Sequence, residues 1–422
     1  MTSGWTSLAL LAIWALLAIG LIRTPVWDER NMMLWLGSQS LAEAWQAIWL
    51  QAPGGVVRPL PQLVALVVWH LLGGREYPAF AALRLLTASC HGLGVFFVFS
   101  RCRGFKDAHT PGKPRGLEPG LLLGAVLFSQ ASLVMAGWFA SVYDAMVTLG
   151  LGLAVRCAQD RRWLGSGLCL GLAFFCKESA VFAPLALPIL ALLPRKRKDW
   201  ILLLFPIALG MAGYFLLREQ RIPVGSAADL HGFVPSQIAA TAYGLMAGLP
   251  FGGVPASRLL ALLGCLLSVL WWRSLTVPSR WAVVPVWLLA ALLYSGMLPD
   301  PVARPLVHWS HFQGRLFVMP VLLAALATLR HGQRPEWVSA VAMLTLSIPG
   351  LFFIQDHLRF QALYRCMMDK AQMQHGLVVH FPEKPFRDDR HALWIGHAPQ
   401  ARCRLEPWSG SLDCDGQRAC PS

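Results

Sequence analysis

Charge is what this chain has least of. Only 14% of its 422 residues are Asp, Glu, Lys or Arg, against about 25% in an ordinary soluble domain. With 56% hydrophobic residues and a mean hydropathy of +0.52, that shortage excludes a soluble protein and implies a polytopic membrane protein. Acids are scarcer than bases, 22 against 36, for a net charge of +14. The excess falls in short clusters between apolar runs, which encodes orientation in a membrane and is no footprint for nucleic acid. No CxxC spacing occurs among the cysteines, so those in or beside apolar runs read as packing residues, not metal ligands. No internal repeat is visible, which argues against the repeated halves of many secondary transporters. The first apolar run has neither a basic leader nor a small-residue cleavage pattern, and it reads as a retained span.

What the chain does have is apolar runs, at roughly 5–22, 79–100, 118–137, 142–157, 163–177, 180–194, 200–217, 255–272, 281–298, 315–330 and 337–355. They predict an all-α fold with about eleven crossings of a ~30 Å hydrocarbon core. The basic clusters at 101–115, 156–162, 195–198, 273–280 and 330–334 share one side if the N-terminus is cytoplasmic. That parity makes the helix near 60–72 juxtamembrane and places the C-terminal tail outside. The division expected is a transmembrane domain over 1–355 and an extracytoplasmic tail over 356–422. The tail holds Cys366, Cys403, Cys414 and Cys420; four cysteines there predict disulfides with three pairings open.

The stretch 23–61 stands out between the first span and the next helix. It opens with Asp28 and Glu29, continues as an amphipathic segment carrying Trp35, Trp45 and Trp49, and closes on Arg58-Pro59. Asp28 could be an ordinary interfacial charge beside Arg30. Asp144 starts a span in WFASVYDAMVTLGL, and Lys177-Glu178 interrupts the apolar GLAFFCKESAVFAPL. Ionisable groups at such places are costly unless paired or solvated, so they are functional candidates. A plain Asp144–Lys177 salt bridge tying two spans together is the structural alternative. Arg315, in FQGRLFVMP, could snorkel to lipid phosphate or bind a phosphate bidentately.

Taken in order, these features resemble the GT-C superfamily: a WDE loop after the first span, Arg-Pro-Leu opening a helix, SVYDAM, CKES after a Gly-rich span, and a late Arg entering a span. Its members are polytopic glycosyltransferases that use a polyprenyl-phosphate-linked sugar, among them protein O-mannosyltransferases, their tetratricopeptide-containing relatives and the lipid A aminoarabinose transferase. The resemblance covers about residues 5 to 330. It implies Asp28 as the acid acting on the acceptor, with Glu29 its neighbour and Asp144 the second acid. It implies Arg58, Lys177 and Arg315 as donor-phosphate ligands, although Leu316 replaces the aromatic usual after the late arginine. The tail after 356 matches no part of that pattern.

The residue types suit that chemistry. Transfer from a phosphate leaving group passes through an oxocarbenium-like centre; it needs a base for the acceptor hydroxyl and cations for the departing phosphate. The expectation is therefore an inverting glycosyltransferase in a bacterial inner membrane, N-terminus cytoplasmic and C-terminus periplasmic, acting at the outer face. Its partners would be a polyprenyl-phosphate sugar, membrane lipid and an acceptor protein or glycolipid. No cofactor is certain; Asp28 and Glu29 could hold Mg or Mn through oxygens. The competing readings are a polysaccharide polymerase or ligase, expected to carry a large late outer loop, and a lipid-linked sugar transporter, expected to carry charges deep within its spans.

Overall fold

The computed structural model describes residues 2–23, 28–50, 58–100, 118–219 and 318–330, with isolated helical positions at 273 and between 347 and 366, and five strands between 377 and 420. The chain enters as α1 (Thr2–Gly20), followed by two short helices, α2 (Asp28–Ser38) and α3 (Leu41–Leu50). α3 starts with a capping box: the Ser40 amide donates to Glu43 Oε2 at 2.9 Å while the Glu43 amide donates back to Ser40 Oγ at 3.3 Å. The same hydrogen bonds from Ser40 hold the Glu43 carboxyl below the usual carboxylate range. α4 (Pro59–Leu71) begins on two prolines, which suit a first helical turn.

α5 (Glu76–Ser100) and α11 (Arg197–Glu219) are the two helices, among the described residues, long and apolar enough to cross a membrane. Leu204, Phe205, Leu209, Phe215 and Leu216 of α11 are exposed, an apolar face that lipid would cover. The run 118–137, expected as one span, is instead α6 (Glu118–Leu127) and α7 (Gln130–Gly137), bent by 61°. Ser129 breaks it: extended at ψ 152°, it caps α7 by accepting from the Ser132 amide. α8 (Val142–Gln159) follows a 3₁₀ turn over Phe139–Ser141, and α9 (Trp163–Ala173) follows α8. The expected span at 180–194 is a 3₁₀ stretch, Glu178–Leu185, containing Pro184, then the single turn α10 (Ala186–Ile189). α12 spans Val318–Arg330. The runs at 255–272 and 281–298 lie outside the described residues.

Small residues set the packing. α5 and α8 run parallel and meet so closely that a Cβ on Gly94 would strike the Thr148 backbone, and one on Gly152 would strike Gly94. α9 and α11 repeat the device with Gly171 against Pro206 and Gly210. Such pairing, with no side chain between backbones, is how helices associate where lipid removes the hydrophobic drive. α1 lies antiparallel to α5, its Leu11 and Trp14 over Gly92.

The tail departs from the all-α expectation. Strands β1 (Leu377–His380), β2 (Leu393–Ile395), β3 (Ala401–Glu406), β4 (Ser411–Cys414) and β5 (Gln417–Cys420) form one sheet in the order β2-β1-β3-β4-β5. β1 and β3 are parallel and the other pairs antiparallel. The β3–β4 register sets Cys403 opposite Cys414. Cys366, at the entrance to the tail, is disulfide-bonded.

A charged layer at one end of the bundle

The end of the bundle at which α1 stops collects three ion pairs from the elements singled out in the sequence. The deepest joins α2 to α5. Arg84 donates from Nε to Glu29 Oε1 at 2.9 Å and from Nη2 to Glu29 Oε2 at 2.7 Å, with neither side chain exposed. Its Nη1 donates to the Leu21 carbonyl at 2.6 Å, and its guanidinium lies over the Phe80 ring at 4.6 Å. The Phe139 amide also donates to Glu29 Oε1, at 2.5 Å. Glu29 thus clamps the start of α2 to the turn that leads into α8. Gln361 adds the later chain to this corner, donating to the Leu21 carbonyl at 3.0 Å beside buried His357.

Asp144, in the first turn of α8, takes both its oxygens to Lys177 Nζ, at 2.8 and 2.6 Å. The side chains are 4% and 2% exposed. Lys177 sits in extended backbone between α9 and the 3₁₀ stretch, which turns its amine across to α8. This is the salt bridge weighed as the structural alternative. One residue on, Glu178 accepts from Arg58 Nη2 at 2.9 Å, and here the side chains are 28% and 15% exposed. Arg58 stacks over Tyr143, 4.8 Å from its centroid. The Leu60 amide donates to the Phe175 carbonyl at 3.3 Å, which docks the start of α4 beside the same turn.

Burial alone would push the Glu178 carboxyl up, but Arg58 and Lys177 outweigh it and hold it at about 2. Burial disfavours the Arg58 cation, yet Glu178, Tyr143 and Asp144 more than restore it, so its affinity for the proton ends above the ordinary arginine value. Both groups are therefore charged at neutral pH. From α11, the buried Tyr214 hydroxyl stands within electrostatic reach of Glu178, Arg58 and Arg218.

The structure thus brings Glu29, Arg58, Asp144 and Lys177 into one layer. Asp28 opens α2 beside Glu29, its side chain outside the described residues, as is all of Arg315. Arg84 was missed by motif reading, yet a lone arginine inside the apolar run 79–100 was itself the signal. Glu178 and Tyr143 were missed as partners because pairing across 120 residues leaves no trace in local spacing. Among the described residues no group of three His, Cys, Asp or Glu could hold a metal. Glu29 spends both oxygens on Arg84 and the Phe139 amide, so a cation shared with Asp28 would have to break that buried pair. Comparison with family models, with curated proteins and with solved structures found no match to the chain.

Proposed function

We propose that this chain is a multi-pass membrane glycosyltransferase of the GT-C type, moving a sugar from a polyprenyl-phosphate donor to an acceptor hydroxyl at the outer face of a bacterial inner membrane. One observation carries the reading. Residues from the first loop (Glu29, Arg58), the SVYDAM motif (Tyr143, Asp144) and the CKES motif (Lys177, Glu178) converge in a single charged layer. A polyprenyl donor needs its phosphate held at a bilayer edge, and this layer forms at the end of a bundle whose helices expose apolar faces.

Within this reading the roles divide by burial. Asp28 is the base that takes the acceptor proton, placed by the clamp that Arg84 puts on the next residue. Arg58, stacked and partly exposed, meets the phosphate as it departs. Asp144 and Lys177 hold α8 to the α9 turn and so set the floor of the site. Arg315 is a further phosphate ligand from the late span. The multi-pass topology, with the C-terminal sheet periplasmic, follows from the basic clusters. Mass spectrometry of envelope proteins and lipids from cells with and without the chain tests the proposal: a hexose or pentose mass lost from an acceptor supports it, and unchanged glycosylation together with altered lipid-linked sugar distribution favours transport instead.

A further inference from the structure

The two cations of the CKES corner are not equally available. Lys177 is chelated by both oxygens of Asp144 in a sealed pair, so an anion could reach it only by opening the α8–α9 contact. Arg58 is held by one oxygen of Glu178, on side chains that keep some exposure. Its Nε is buried with no hydrogen-bond partner, an unusual state for a guanidinium, which ordinarily uses its donors as a fork. Beyond Tyr214, Arg218 in the last turn of α11 makes no ion pair among the described residues and is partly exposed. The corner therefore holds one cation bound by a single carboxylate oxygen and, across the Tyr214 hydroxyl, a second cation without a carboxylate.

From this we infer that Glu178 is an exchangeable counter-ion: a phosphate ester displaces its carboxylate from Arg58 and is seated between Arg58 and Arg218, with the Tyr214 hydroxyl beside it. The inference rests on the transferase reading for the identity of the ligand, a lipid phosphate, and goes beyond it in assigning Glu178 and Arg218. Stacking on Tyr143 keeps the guanidinium plane fixed through the exchange, so Nε and Nη2 present the bidentate edge that phosphate oxygens match. Until the carboxylate leaves, it occupies part of that edge. Apparent affinity is lowered by the fraction of molecules in which Glu178 still holds Arg58. The exchange also selects for charge, because a neutral polyprenol offers nothing to replace the carboxylate.

The test is equilibrium binding of undecaprenyl phosphate to the full chain in a neutral detergent, with undecaprenol and inorganic phosphate as separate arms. Glu178→Gln keeps size and removes the competing charge, so the lipid phosphate should bind about tenfold tighter. Arg58→Gln should bind it at least tenfold more weakly, and Arg218→Gln several-fold more weakly. If Glu178→Gln fails to fold, Glu178→Asp shortens the arm by one methylene and should also tighten binding. Displacement of the lipid by inorganic phosphate supports the seat and makes the phosphate, not the chain, its source of affinity. Unchanged or weaker binding in the Glu178 variants, with wild-type binding intact, overturns the exchange and leaves the transferase reading standing. A wild-type chain that binds undecaprenol as well as its phosphate, or binds neither, overturns both.

Discussion

Lys177 and Glu178 are neighbours in one motif and are put to opposite uses. Lys177 turns inward and is sealed against Asp144, while Glu178 turns toward Arg58 in a pair that water can reach. The extended backbone of Lys177, at φ −168° and ψ 152°, separates the two directions. Glu29 belongs with the sealed kind. Buried pairs are poor sources of net stability but costly to break from one side; a pair with some exposure is cheap to break and free to exchange. What a charged motif does is thus decided by which of its charges the fold encloses.

The sharpest way to break the contrast is at its most enclosed member. Arg84→Ala leaves Glu29 charged with no cation in a dry corner and takes from the Leu21 carbonyl one of its two side-chain donors, Gln361 being the other, so stability should fall by about 3–5 kcal/mol, read from thermal unfolding in detergent. Asp144→Asn and Lys177→Ala should each destabilise by a comparable amount, and the double variant should be no worse than either alone, because both singles break one interaction. Additive losses would mean that the two side chains act independently. Glu178→Gln, in a pair that keeps some exposure, should cost less than any of these.

The pH dependence sharpens the comparison further. Glu178 is held at about 2 in the folded chain, below the ~4.3 of an unfolded glutamate. Its contribution is therefore fully present above pH ~4.3 and is lost as the pH falls toward 2. The wild-type chain should lose more stability between pH 5 and 3 than Glu178→Gln does; parallel curves would contradict the pair. The smallest expected effect concerns the thiols. With Cys366 disulfide-bonded and Cys90 and Cys176 buried as free thiols, labelling without reductant should leave Cys366 unmodified, and a freely labelled Cys366 would contradict it.

Part of this was legible beforehand. Apolar runs gave the helices near 5–22, 79–100, 142–157 and 200–217, because a long uninterrupted apolar run leaves the backbone little alternative to a helix in lipid. The break at Ser129 was not visible, since a serine in an apolar run becomes a cap only when its own backbone turns extended. Nor was the 3₁₀ stretch after Lys177, where Pro184 removes a backbone donor that a regular helix would use. The tail strands are three to six residues long, too short for a period to declare itself. In the charged layer, Asp144–Lys177 was legible as a pair because each interrupts an apolar run that leaves an unpaired charge costly. Glu29 looked equivalent to Asp28, and only the position of Arg84 on α5 separates them.

The most direct test of the central claim is sugar transfer by the purified chain from a polyprenyl-phosphate donor, comparing wild type with Asp28→Asn. The substitution keeps size and removes the proton acceptor, so transfer should fall at least ~10²-fold while the thermal midpoint and donor binding hold. An Asp28→Asn chain that transfers sugar at the wild-type rate would contradict the assignment of the base.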